Sequence, residues 1–154
     1  DSVVNKNITQ TAKTTVDSTT GQPATVRNFE FDAKDQQYVA IVLDKVDPVF
    51  INEAKNAFNR YNQVNFYNQK LALTPVKLND RYNLILIGPF ADAAVAVAYV
   101  DKTKPVTGSR IVPWLTAEKY SYTIISQSNL DVLKETKDVD GYKQLLQKAL
   151  PGQF

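Results

Sequence analysis

The sequence predicts an α+β fold: a ferredoxin-like β-α-β-β-α-β chain whose four-stranded antiparallel sheet carries two further helices at its C-terminal end. Three observations predict it. The β-branched run "QQYVAIVLD" (36–44) leads into an amphipathic helical pattern. A second apolar run, "RYNLILIGPF", leads into an alanine-rich pattern. Between these halves, "YNQKLALTPVKLND" reads as a strand joined to the second run at Asn79-Asp80. Two strand-plus-helix units in this order form the split-βαβ pattern, and right-handed crossovers place the first and third strands side by side in the centre.

Each element has a local reason. Strand 36–44 is short and β-branched, as a central strand is. In "KVDPVFINEAKNAFNRYNQ", Asp47 stands at the N-cap, Pro48 at the first helical position and Val46 with Ile51 at the hydrophobic staple. Phe50, Ala54, Ala57, Phe58 and Tyr61 fall on one helical face, with Asn52, Glu53, Asn56, Asn59 and Arg60 opposite. Pro75 sends its strand to a sheet edge or a bulge. The Asn-Asp pair suits a tight two-residue hairpin, because both residues tolerate positive φ. Strand 81–87 is almost wholly apolar and ends in a Gly88-Pro89 turn. Asp92 then caps a helix over 93–103, where alanine favours helix and small side chains allow close approach to the sheet. Lys104-Pro105 stops it. "SRIVPWLT" reads as irregular, "KYSYTIIS" (119–126) as the fourth strand, "NLDVLKETK" as a helix capped by Ser128, and "GYKQLLQKAL" as a helix capped by Asp140. The alternating "FEFD" (29–32) suggests a short edge strand. The polar N-terminal stretch, 1–34, buries too little to offset its ordering entropy and reads as a linker ahead of the folded part, 35–154. Its Asn7-Ile8-Thr9 matches a glycosylation acceptor.

Composition narrows the chemistry. The 154 residues include no Cys, no His and no Met. Disulfides, zinc–thiolate sites, iron–sulfur clusters and thiol nucleophiles are thereby excluded, and the commonest general base is missing. The absence of Met at position 1 leads us to expect a longer precursor. A formal net charge of +2 lacks the concentrated basic stripe of a nucleic-acid binder. Strand 81–87 has one aromatic and no glycine, unlike the aromatic-rich third strand with which RNA-recognition domains of this topology stack bases. No apolar run approaches the ~18 residues of a membrane span.

Asp44 and Asp47 close strand one and Asp92 follows strand three, so paired carboxylates could serve acid–base work. Asp47 and Asp92 also stand where helix caps belong, and that reading is the stronger. No catalytic residue, cofactor or metal ligand is therefore assigned. The candidate binding surface consists of Tyr82 and Asn83 on strand three, Trp114 beside a proline, and Tyr120 and Tyr122 on strand four. Tyr and Trp bring contact area at low side-chain entropy. The tail helices decide whether the second sheet face is open.

"YNLILIGPFADAAVAVAYV" resembles the second half of a SPOR domain, in which strand three is followed by Gly-Pro-Phe and an alanine-rich helix in this same element order; the resemblance covers about 36–126. It implies binding of denuded peptidoglycan strands on the open sheet face, here through Tyr82, Asn83 and their neighbours. The tail "KYSYTIISQSNLDVLKETKDVDGYKQLLQKAL" is similar to the C-terminal end of large tetratricopeptide-repeat lipoproteins of Bacteroidetes, the SprE/PorW type. There a strand ending in Ile-Ser precedes Asn-Leu, Leu and a later Tyr, matched here by Ile125-Ser126, Asn129-Leu130, Leu133 and Tyr142. That likeness implies a non-catalytic protein-interaction domain of the type IX secretion and gliding apparatus. It would be periplasmic, tethered to the outer membrane through an upstream segment. Its partners would be proteins of that machinery, peptidoglycan second, with no nucleic acid and no membrane contact by this chain itself.

Overall fold

The computed structural model describes residues 28–154; the Asn7-Ile8-Thr9 tripeptide and most of the expected linker lie outside the described residues. Residues Phe31–Phe154 form one compact unit. Its strands are β1 (Gln37–Asp44), β2 (Ala72–Lys77), β3 (Tyr82–Phe90) and β4 (Tyr120–Ser126). Its helices are α1 (Pro48–Asn65), α2 (Ala93–Val106), α3 (Gln127–Thr136) and α4 (Val139–Ala149). The sheet order is β2-β3-β1-β4, every pair antiparallel, with β1 and β3 central as the β-α-β-β-α-β order requires.

Side chains alternate across a strand, so the register assigns the two faces. Val39, Ile41, Leu43, Ile85, Ile87, Tyr122 and Ile124 share the first face. Against it lie α1, through Ile51, Ala54 and Phe58, and α2, through Ala96, Tyr99 and Val100, all buried. Ala40, Val42, Leu84, Thr123 and Ile125 share the second face, and Leu133, Val139 and Tyr142 of the α3–α4 hairpin close over them. The space left between is about 10 Å³, at most one water. Both faces of the two central strands are therefore covered, which accounts for their unbroken apolar runs. Each fully buried Leu or Ile in these layers contributes about 1.5–3 kcal/mol.

Several local expectations are corrected. Gly88-Pro89 does not end β3: the strand runs on to Phe90, and the register shifts between Gln37 and Val39, so Gly88 and Pro89 together oppose Tyr38 in a bulge. Gly88 adopts φ +146°, and a Cβ there would lie 3.2 Å from the Phe90 nitrogen, so the bulge needs glycine. The Gly88-Pro89 bond is cis.

Pro105 does not stop α2. The helix passes through it to Val106 and continues as a wide π-turn over Thr107–Ile111, which takes in the first three residues of the stretch expected to be irregular. The Thr107 N–H turns back to the Lys104 carbonyl, while its hydroxyl bonds the Thr103 carbonyl at 2.8 Å. The β2–β3 connection spans residues 78–81 rather than two. Positive φ plays no part in it; the Asn79 side chain builds the turn by accepting from the N–H groups of Arg81 and Tyr82. Residues 29–32 form no strand.

The caps also move. Asp92 accepts from Val95 N–H as expected, but Asp47 holds the N-cap position of α1 without a side-chain bond. Ser126 rather than Ser128 caps α3, and Asp138 rather than Asp140 caps α4. Both of these helices begin two residues earlier than their periodicity suggests.

Candidate functional site

Of the five sequence-predicted residues only Tyr120 and Tyr122 come together, along one groove beside β4, and the other three occupy separate places. Tyr82 opens β3 on the second face, with the Arg81 guanidinium 4.7 Å from its ring centre. Arg81 in turn holds Asp44 through two bonds of 2.8 and 3.1 Å. The bonds from Arg81 keep the Asp44 carboxyl below its usual range, and burial raises the Tyr82 phenol. Asn83 is the next residue along and so projects from the opposite face. Tyr122 is buried, its hydroxyl 2.6 Å from that of Thr107, and burial pushes its pKa well above the ordinary tyrosine value. It is a core residue. Tyr120, half-buried at the start of β4, borders a groove described below. Trp114 stands alone among the five as an exposed ring, 46% accessible.

What Trp114 meets is a residue the sequence reading placed on the packed face of α1. The buried face of that helix runs through Ile51, Ala54, Ala57, Phe58 and Asn62, and Phe50 lies off it at 48% exposure. Its ring centre is 5.7 Å from that of Trp114, tilted by 37°. Val49, 61% exposed, continues the apolar patch. Beside the two rings a groove of about 300 Å³ is lined by Lys45, Asp47, Leu115 and Lys119. Lys45 sits in the left-handed region at φ 56°. Lys119 Nζ reaches its carbonyl at 3.4 Å. These contacts join the end of β1, the first turn of α1 and the segment before β4 into one rim. Two cations, one carboxylate without a capping bond and two rings offer stacking and ionic contact. A nucleophile-and-base pair is not among them.

The remaining carboxylates of interest are committed: Asp44 to Arg81 and Asp92 to Val95 N–H. Among the described residues no cluster of three His, Cys, Asp or Glu side chains is placed to hold a metal ion. Among them, too, no helix is long and apolar enough to cross a membrane.

A second groove, about 380 Å³, follows the outer side of β4. Lys104 of α2 borders it on the first face and Lys143 and Leu146 of α4 on the second, with Ala117, Tyr120 and Phe154 completing the apolar floor. No sequence signal set Phe50 apart: it shares the first turn of α1 with Ile51, which is buried. No sequence pattern marks the β4 groove, which depends on sheet order. A scan against protein-family models, a search of curated proteins and a search of solved structures each find no match to this chain.

Proposed function

We propose that this domain is a non-catalytic protein-interaction module of a cell-envelope lipoprotein of the type IX secretion and gliding kind, and that it meets its partner through the Phe50–Trp114 rim. The observation that carries the reading is the exposed aromatic pair, flanked by Val49 and by Lys45 and Lys119. Exposed apolar surface rimmed by polar groups marks interaction sites, and Trp is the residue type most often dominant in them. The envelope setting rests on the similarity of the tail to tetratricopeptide-repeat lipoproteins.

Binding of a glycan strand in the manner of a SPOR domain needs the second sheet face. That face carries α3 and α4 over β1 and β4, so a glycan is left only the β2 side, where Thr74 and Val76 lie. The protein reading is favoured for that reason.

The test places a photo-activatable side chain at Trp114 or, as a control, at Thr74, and compares the adducts formed in an envelope extract. A discrete protein adduct from position 114 alone is expected. Phe50→Ser should weaken that partner's binding about 30-fold, the size of a dominant interface residue. Retention of the folded domain on purified glycan strands, unaffected by Phe50→Ser, would replace this reading with the glycan one.

A further inference from the structure

We propose that the outer edge of β4 is a second docking site, taking an extended acidic peptide segment that joins the sheet as a fifth strand. The site stands on residues separate from the Phe50–Trp114 rim and is independent of that reading.

Which backbone groups face outward follows from one hydrogen bond. Lys45 N–H donates to the Arg81 carbonyl at 2.7 Å, so Lys45 and Arg81 form a hydrogen-bonded pair on the β1–β3 ladder. Pairs of this kind recur every second residue, so Leu43, Ile41 and Val39 also point their backbone groups at β3. The alternate residues Val42, Ala40 and Tyr38 therefore point at β4, where they meet Ser121, Thr123 and Ile125. The backbone groups of Tyr120, Tyr122 and Ile124 are left facing away from the sheet. The Ile124 carbonyl accepts a bond from the buried Tyr142 hydroxyl, as an outward group is free to do. Among the described residues nothing bonds the Tyr122 N–H or C=O, and the groove lies against Tyr120 to Thr123. Ile124 is 0% exposed, with Tyr142 of α4 on its carbonyl, so the open stretch of the edge is Tyr120 to Tyr122. An extended chain laid along that stretch completes its bonds.

The groove fixes the partner's charge. Lys104 and Lys143 stand on its two sides, and no acidic side chain lines it. Successive residues of an added strand point to opposite faces, so two adjacent acidic residues reach both lysines, one on each side. Leu146, Tyr120 and Phe154 accept apolar residues around them. A second copy of this chain fits less well: symmetric edge-to-edge pairing sets Lys143 against Lys143 and Lys104 against Lys104.

The probe is a fluorescein-labelled, end-blocked peptide, Thr-Val-Asp-Glu-Val-Thr-Val, read by anisotropy and by amide hydrogen exchange on the full chain. At saturation, exchange at the Tyr122 amide should slow by about tenfold or more. Lys104→Glu and Lys143→Glu should each weaken binding about fivefold. Moving the two acids two positions apart should cost about threefold, since both then face one side. A Lys-Lys peptide, or one N-methylated at alternate backbone positions, should not bind. Four results overturn the proposal: no protection at about 1 mM peptide, undiminished binding of the N-methylated peptide, protection mapping to the Phe50–Trp114 rim, or protection that rises with protein concentration alone. The last would identify a second copy as the occupant.

Discussion

At one end of the sheet the outward backbone row belongs to Leu73, Pro75 and Lys77; at the other it belongs to Tyr120, Tyr122 and Ile124. The first row follows from the same alternation, because Leu78 N–H donates to Tyr82 and so Val76 and Thr74 pair with β3. Pro75 stands in the middle of that row and brings no N–H. Lys77 beside it is exposed and pairs loosely with Asp80, at 3.6 Å. Proline and lysine are standard means of keeping a sheet edge from recruiting another strand. On β4 every outward residue keeps its donor, and only the Ile124 carbonyl is occupied, by a side chain reaching out of α4. One edge is blunted along its length and the other at one end only. The contrast teaches that edge protection is specified residue by residue, and that an edge left half-open is a surface for contact.

The contrast can be broken from either side. The largest effect is expected at Tyr142, which is 2% exposed and whose hydroxyl is bonded to both Ile124 and Asn129. Tyr142→Phe leaves a covered carbonyl with only the long 3.4 Å bond from the Thr123 hydroxyl and should cost about 1–3 kcal/mol in urea unfolding, with an unchanged slope. An unchanged midpoint, in Tyr142→Phe and in Tyr142→Phe with Thr123→Val alike, would show that the Tyr142 bond does not hold this end of the β4 edge. Pro75→Val gives the β2 edge its missing donor. Stability should change by less than about 1 kcal/mol, while sedimentation velocity should show association rising with concentration. A variant that stays as monodisperse as the parent would remove proline from the explanation.

The smallest effect is a control lying between the edges. The Asp44 carboxyl is held below its ordinary 3.8 by the Arg81 bond. A depressed acid contributes stability that is complete above the unfolded value and lost as pH falls through the folded one. Asp44→Asn should therefore remove a shallow loss of stability below about pH 4, leaving amide exchange at both edges as it was. Equal acid sensitivity in the variant would put the titrating group elsewhere.

Element types and sheet order were legible because periodicity, β-branching and the crossover rule agree over residues 36–126. What escaped was decided by contacts between elements. Phe50 satisfies the helical period as well as Ile51 does, and only the angle at which α1 meets the sheet chooses between them. Gly88-Pro89 reads as punctuation, yet a neighbouring strand turns it into a bulge. Pro105 normally ends a helix, but the chain keeps turning past it, and where the Thr107 N–H turns to Lys104 the Thr107 hydroxyl meets the Thr103 carbonyl instead. For the site, Trp114 was legible as an aromatic outside any periodic face. Tyr122 was not, because a tyrosine whose hydroxyl finds a buried threonine has the same sequence signature as an exposed one. The β4 groove joins α2, α4 and a strand far apart in the chain, and no local pattern reports it.

The outward row on β4 also has a mechanical side. Bonds made across an edge lie at right angles to the strand. A segment held there and tugged along its own length strains all of them together, whereas one lifted sideways loosens them one after another. A joint at this margin would hold best against force directed along β4 and release readily when peeled, so the direction of pull, as well as the concentration of the partner, would decide how long it lasts.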